Sequence, residues 1–177
     1  MEKELFQKIE GQLYRYYRYK KQIGKKYRKV ETLDEQIKDI DNQIRNVHKY
    51  INIDPYQSGS GISERVQASI SGSSYMEKEM ENEVTKLEKR KVEKIKQKIK
   101  TESKIMEMKN FIRMMDTNIE ELREEDKRII KFFYEDSKND KENVSYLTIK
   151  LNLSAPTVYR RKQVLVENIA DSMWMYK

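Results

Sequence analysis

Residues 151–164 read LNLSAPTVYRRKQV, a run whose side chains suit a polyanion. An arginine can pair bidentately with guanine and a glutamine with adenine, while a serine hydroxyl and the free N–H groups of a helix start suit phosphate. The surrounding stretch, VSYLTIKLNLSAPTVYRRKQVLVENIADSM, divides into a short helix over residues 145–151, a tight turn at Asn152 and Leu153, and a longer helix capped by Ser154. Asparagine tolerates the left-handed backbone such a turn needs, and Pro156 is acceptable in a first turn because its missing N–H has no intrahelical partner there. This is the grammar of a helix-turn-helix. Val158, Leu165 and Ile169 repeat at seven and four, so they face inward against Leu147, Leu151 and residues 132–134. The opposite face offers Ala155, Pro156, Tyr159, Arg160 and Gln163 to a major groove, flanked by Ser154, Thr157, Arg161 and Lys162. A plain solvated basic face is the competing reading. Turn, cap, buried spacing and basic edge agree on double-stranded DNA, with Arg160 reading bases and Arg161 and Lys162 holding phosphate.

LNLSAPTVYRR resembles the end of the winged or sigma-region-4 type of helix-turn-helix, whose pattern is leucine, glycine, a small apolar residue, serine, two variable residues, then T-V-Y-R-R. The likeness covers about residues 122–173. Asn152 stands in the glycine place, and Thr148 where a small alanine usually packs between the helices. The wider layout looks like the phage late-gene transcriptional regulators of the ArpU and RinA type. That resemblance implies base reading from the first two turns of the second helix, control of phage or prophage late genes, and contact with RNA polymerase.

The elements that must carry such a reader are helical. From Leu5 to Ile51, heptad position a falls on Ile9, Tyr16, Ile23, Val30, Ile37, Ile44 and Ile51, and d on Leu5, Gln12, Tyr19, Lys26, Leu33, Ile40 and Val47. Only Gln12 and Lys26 break the seam, which predicts a coiled-coil helix over residues 1–51 of roughly 70 Å. Within it, YRYYRYKKQIGKKYRK at 14–29 holds five tyrosines and eight basic residues without an acid. Tyr16 and Tyr19 lie on the seam; Tyr14, Tyr17, Arg18, Lys21, Lys25 and Arg28 fall on the outer face. That face reads either as a solvated surface or, through Arg18, Lys21, Lys25 and Arg28, as a second set of phosphate contacts.

Residues 52–74 hold one of the two prolines, three of the five glycines and most of the serines, and read as a flexible linker, with a short helix over 63–70 as an option. Ser74 and Glu77 have capping-box spacing and open a second long helix over 75–122. Met80, Val84 and Leu87 start its seam and Ile105, Met108, Ile112, Met115, Ile119 and Leu122 finish it. Val92, Ile95 and Ile99 between them are out of register by one, which marks altered supercoiling or a break. The two long helices could pair as an antiparallel hairpin or in a homodimer or higher homo-oligomer through the same seams. A DNA-binding domain follows over 123–177. REEDKRIIKFFYEDS starts it with acids in a first helical turn and Ile129, Ile130, Phe133 and Tyr134 on one apolar face, SKNDKEN breaks the chain, and Met173 and Trp174 close the small core. The expected fold class is all-α.

Composition bounds the rest. The 177 residues are 37% hydrophobic and 38% charged, with net charge +7, pI near 9.3 and mean hydropathy −0.99. Such a chain favours polyanionic partners and lacks the apolar residues for one large core. Cysteine is absent, His48 is the only histidine, and no glycine-rich phosphate loop occurs. No metal site, cofactor or catalytic constellation is expected, so the chain does not read as an enzyme. No apolar run approaches the roughly 20 residues that span a bilayer and the first residues lack a signal-peptide core, which gives the expectation of a soluble protein of the bacterial or phage-infected cytoplasm. Alternatives to a regulator are the small, DNA-recognising subunit of a terminase, a sigma-factor-like protein, and a coiled-coil scaffold.

Overall fold

The computed structural model describes residues 3–50, 75–135 and 140–174. All regular structure among them is helical: α1 (Lys3–Arg45), α2 (Val47–Tyr50), α3 (Tyr75–Glu120), α4 (Glu124–Tyr134), α5 (Asp140–Leu151) and α6 (Ala155–Trp174). The all-α class read from the sequence holds. The linker, its optional short helix and the cap at Ser74 lie outside the described residues, as does the side chain of Trp174. The first long helix ends six residues before the expected 51. At Asn46 the side-chain amide donates to the Asn42 carbonyl at 2.9 Å, and the Lys49 N–H reaches back only three residues, to the Asn46 carbonyl at 2.8 Å.

Two compact units form, Met1–Tyr27 with Ser103–Lys177, and Arg28–Glu102. In the second unit α1 and α3 run antiparallel. Lys98 pairs with Asp34 and Lys91 with Asp41, each at 2.6 Å. Leu33 and Leu87 are buried there. The register slip at Val92 and Ile99 does not break α3. The helix is continuous, Val92 and Ile99 are exposed, and the inward positions at that level go to Lys91, Lys94, Ile95, Lys98 and Thr101. Lysine stems cover apolar surface while their ammonium groups reach acids on α1. Exposed pairs of this kind add little to stability, and few apolar side chains are buried among this unit's described residues.

The first unit is built differently. The start of α1 lies antiparallel to the end of α3: the Tyr16 hydroxyl donates to Asp116 Oδ1 at 2.5 Å, the Tyr19 and Phe111 rings meet edge-on at 5.6 Å, and Lys109 Nζ lies 5.1 Å from the Tyr27 ring centre. One core then joins Ile9, Leu13, Tyr16 and Tyr17 of α1, Met115 and Ile119 of α3, Ile129, Ile130, Phe133 and Tyr134 of α4, Val144 and Leu147 of α5, and Val158, Leu165, Val166, Ile169 and Ala170 of α6. This corrects the boundary expected at 122/123. The helix-turn-helix is not a separate domain, because α1 carries an apolar face wider than a two-helix seam. Leu13 and Tyr17 lie beside the seam positions Ile9 and Tyr16 and join the core that α4 shares.

Helix α5 also starts earlier than expected, within the polar run. Asn143 is buried there and donates its side-chain amide to the Phe132 carbonyl at 3.1 Å, giving the end of α4 a partner. Between α3 and α4 the Leu122 N–H bonds to the Ile119 carbonyl at 3.1 Å, and Arg123, in an extended conformation, precedes the acids Glu124, Glu125 and Asp126 of the first turn.

Two outcomes follow from the shared core. Leu13→Ala, which empties a fully buried site, should cost about 2–5 kcal/mol and raise amide hydrogen exchange in α6 as well as in α1; exchange in α6 at the wild-type rate would mean an independent helix-turn-helix. Burial first, and Asp116 beside it, push the Tyr16 hydroxyl well above the ordinary tyrosine range. The unfolded chain therefore ionises first, so this contribution is complete below pH ~10 and is lost as pH rises further. Tyr16→Phe should cost about 1 kcal/mol near neutrality, and its deficit against wild type in denaturant melts should shrink above pH ~10; parallel pH curves would contradict the assignment.

Candidate nucleic-acid interface

The turn between α5 and α6 has the geometry its residues require. Asn152 is the one non-glycine residue at positive φ, 52°, among the described residues. The Leu153 N–H bonds back to the Thr148 carbonyl at 3.2 Å, the six-to-one bond that closes a helix through a left-handed residue. Helix α6 starts with the Val158 N–H on the Ser154 carbonyl at 3.0 Å, and the Ser154 and Thr157 hydroxyls share a hydrogen bond of 2.7 Å.

Burial sorts the faces of α6. Val158, Leu165 and Ile169 are inside, as their spacing requires, together with Val166 and Ala170. Ser154, Ala155, Pro156, Thr157, Tyr159, Arg160 and Gln163 are exposed. The Tyr159 ring stays tilted over Phe133 at 6.2 Å, and Gln163 Nε2 donates to Glu167 Oε1 at 3.3 Å. Arg160 makes no described ion pair or hydrogen bond and points from the second turn. Further along the same face come Glu167 and Asp171, so the part of α6 compatible with a phosphate backbone is its N-terminal half.

Arg161 and Lys162 depart from the expectation of phosphate contacts. Arg161 Nε donates to Asp126 Oδ1 at 2.7 Å and its Nη2 to Glu125 Oε2 at 3.0 Å. Burial alone would lower its pKa, and the bonds to Glu125 and Asp126 outweigh that effect and hold it above the ordinary range. The Lys162 side chain is only 13% exposed. Its Nζ pairs with Glu10 Oε1 at 2.8 Å and sits 4.7 Å from the Phe133 ring centre and 5.3 Å from that of Tyr134. Glu10 also accepts from the Tyr134 hydroxyl at 2.7 Å. These two cations fasten α6 to α4 and α1. The reason is position: both project sideways toward acids that the sequence places 35 and more residues away.

In the basic stretch of α1 the tyrosines and three of the eight cations, Arg15, Lys20 and Lys21, are engaged. Tyr17, expected on the outer face, is buried. Tyr14 meets Tyr134 edge-on at 4.8 Å, and Lys21 Nζ donates to the Glu135 carbonyl at 2.6 Å. Arg15 Nε donates to the Tyr19 hydroxyl at 2.9 Å, with its guanidinium over the Tyr19 and Phe111 rings. Lys20 pairs with Asp116 at 2.8 Å. Of the four candidate phosphate ligands there, Arg18 and Lys25 remain exposed in this unit without described partners, Lys21 is tied to α4's end, and Arg28 belongs to the other unit.

Sequence reading missed the Glu10–Tyr134–Lys162 junction, since no local spacing links residues so far apart. The extra apolar residues Leu13 and Tyr17 beside the seam were the available sign of a further partner. Among the described residues no group of three His, Cys, Asp or Glu side chains could hold a metal ion, and no helix is long and apolar enough to cross a membrane. Comparison of the chain with protein-family profiles, curated proteins and solved structures found no match.

The two classes of cation should separate by stability. Lys162→Ala should cost about 1–3 kcal/mol, because it leaves Glu10 half-buried with one partner fewer, whereas Arg160→Ala should leave the thermal midpoint within about 1 °C. Equal midpoints for both variants would return Lys162 to the solvated face.

Proposed function

We propose that the chain is a sequence-specific transcriptional regulator that binds double-stranded DNA, with the first turns of α6 in the major groove. One observation carries this reading: Arg160 is exposed on α6 and has no partner among the described residues, while its neighbours Arg161 and Lys162 are held by the acids of α4 and α1. A recognition helix must be rigid, since a guanidinium reads a guanine edge only when its helix is fixed to within a fraction of an ångström. The exposed Ser154, Thr157 and Gln163 add hydroxyl and amide groups for phosphate and base edges. Glu167 and Asp171 discourage contact beyond the first few turns.

The likeness of LNLSAPTVYRR to sigma-region-4-type readers supports a narrower proposal, activation of phage or prophage late genes together with RNA polymerase, in a bacterial cytoplasm. A single reader of this size offers a small interface, so two copies on two half-sites would raise affinity. In each unit α1 and α3 cover one another's apolar faces, and a homodimer would therefore use other surfaces than the seam expected from the heptads.

Selection of bound fragments from random DNA at fixed salt tests the proposal. The wild-type chain should enrich one or a few sites, and Arg160→Ala should lose roughly 5–150-fold of preference at one guanine while keeping weak, salt-sensitive binding. Diffuse, equal recovery by both proteins would contradict base reading.

A further inference from the structure

Val164 is a branched apolar side chain 46% exposed on the face of α6 that carries Arg160, one turn beyond it. Packing gives no reason for it. The core side of α6 is filled by Val158, Leu165, Val166, Ile169 and Ala170, and an exposed β-branched residue weakens a helix slightly relative to a straight-chain one. Pro156, Thr157, Arg160, Arg161 and Val164 line one shallow concavity of about 450 Å³. Because the Arg161 head is turned to Glu125 and Asp126, the concavity presents Arg160 as its one cation without a partner among the described residues, with an apolar group a turn to either side.

A major groove offers one apolar feature to such a surface, the C5 methyl of thymine. Resting on the DNA-reading function proposed above, we infer that Val164 is a specificity-determining residue that packs against a thymine methyl close to the guanine paired with Arg160. Four residues of helix advance about 6 Å, and base pairs are spaced about 3.4 Å apart. The thymine therefore lies within about two base pairs of that guanine. Val164 makes no hydrogen bond, so the preference is for the methyl and not for the base's polar edge.

The test starts from a site selected out of synthetic, unmethylated DNA by the full chain. The guanine read by Arg160 is the one whose replacement no longer matters to Arg160→Ala. Each thymine within two base pairs of it is then replaced singly by deoxyuridine, which removes the methyl and nothing else. One replacement should weaken wild-type binding roughly fourfold, the worth of one buried methyl group. Val164→Ala should bind the thymine and deoxyuridine sites equally, Val164→Ile should keep the discrimination, and both variants should melt with wild type because the residue is exposed. No thymine-to-deoxyuridine effect in wild type, or an effect that persists in Val164→Ala, overturns the inference while leaving DNA reading intact. Failure to select any site overturns both.

Discussion

A helix-turn-helix of three short helices has two faces to cover and little apolar surface with which to do it. In this chain the uncovered face of α4 and α6 lies on the first turns of α1, through Ile9, Leu13, Tyr16 and Tyr17. The polar edge of that contact is closed by Glu10, which takes the Tyr134 hydroxyl and the Lys162 ammonium together. A carboxylate, a phenol and an ammonium at the margin of a core satisfy one another, where each alone would carry a desolvation penalty. The orientation of α6 follows from this junction and from Arg161 on Asp126 and Glu125.

Charge in the first unit is consequently divided into two kinds. Arg15, Lys20, Lys21, Arg161 and Lys162 look like a polyanion-binding set in the sequence, yet their heads rest on rings, carboxylates or a backbone carbonyl. Arg160, like Arg18 and Lys25, is a cation whose head has no described protein partner. The tyrosines of stretch 14–29 thus serve packing: their rings meet Tyr134 and Phe111, Arg15 lies over the Tyr19 and Phe111 rings, and Lys20 lies over Tyr16 and beside Asp116. A net positive charge describes the whole chain but does not locate the contact surface; partner geometry does.

What could be read from the sequence was local. The left-handed Asn152, the start of α6, the inward spacing of Val158, Leu165 and Ile169, and the apolar face of α4 are all determined within a turn or two of chain, and each is found. The heptads of α1 also placed Tyr16 and Tyr19 inside. The misreadings involve a third partner or a distant one. Heptad logic supplies one neighbouring helix, so Tyr17 was sent outward, although it joins the core that α4 shares. It supplies apolar seams, so the lysines at 91 and 98 did not register as inward positions, although Asp41 and Asp34 on α1 receive them. Lys162 and Glu10 are joined only by the tertiary fold, and no spacing rule reaches that far. The exposed face of α6 was therefore legible in the sequence, whereas the engagement of Arg161 and Lys162 by distant acids was not.

The central claim is that the surface offered to DNA is the N-terminal half of α6 and not the basic stretch of α1. Amide hydrogen exchange of the full chain, with and without DNA carrying its selected site, addresses it directly. The account predicts added protection over residues 154–164 and little change over 14–29. Protection concentrated on 14–29, with α6 unchanged, would contradict it.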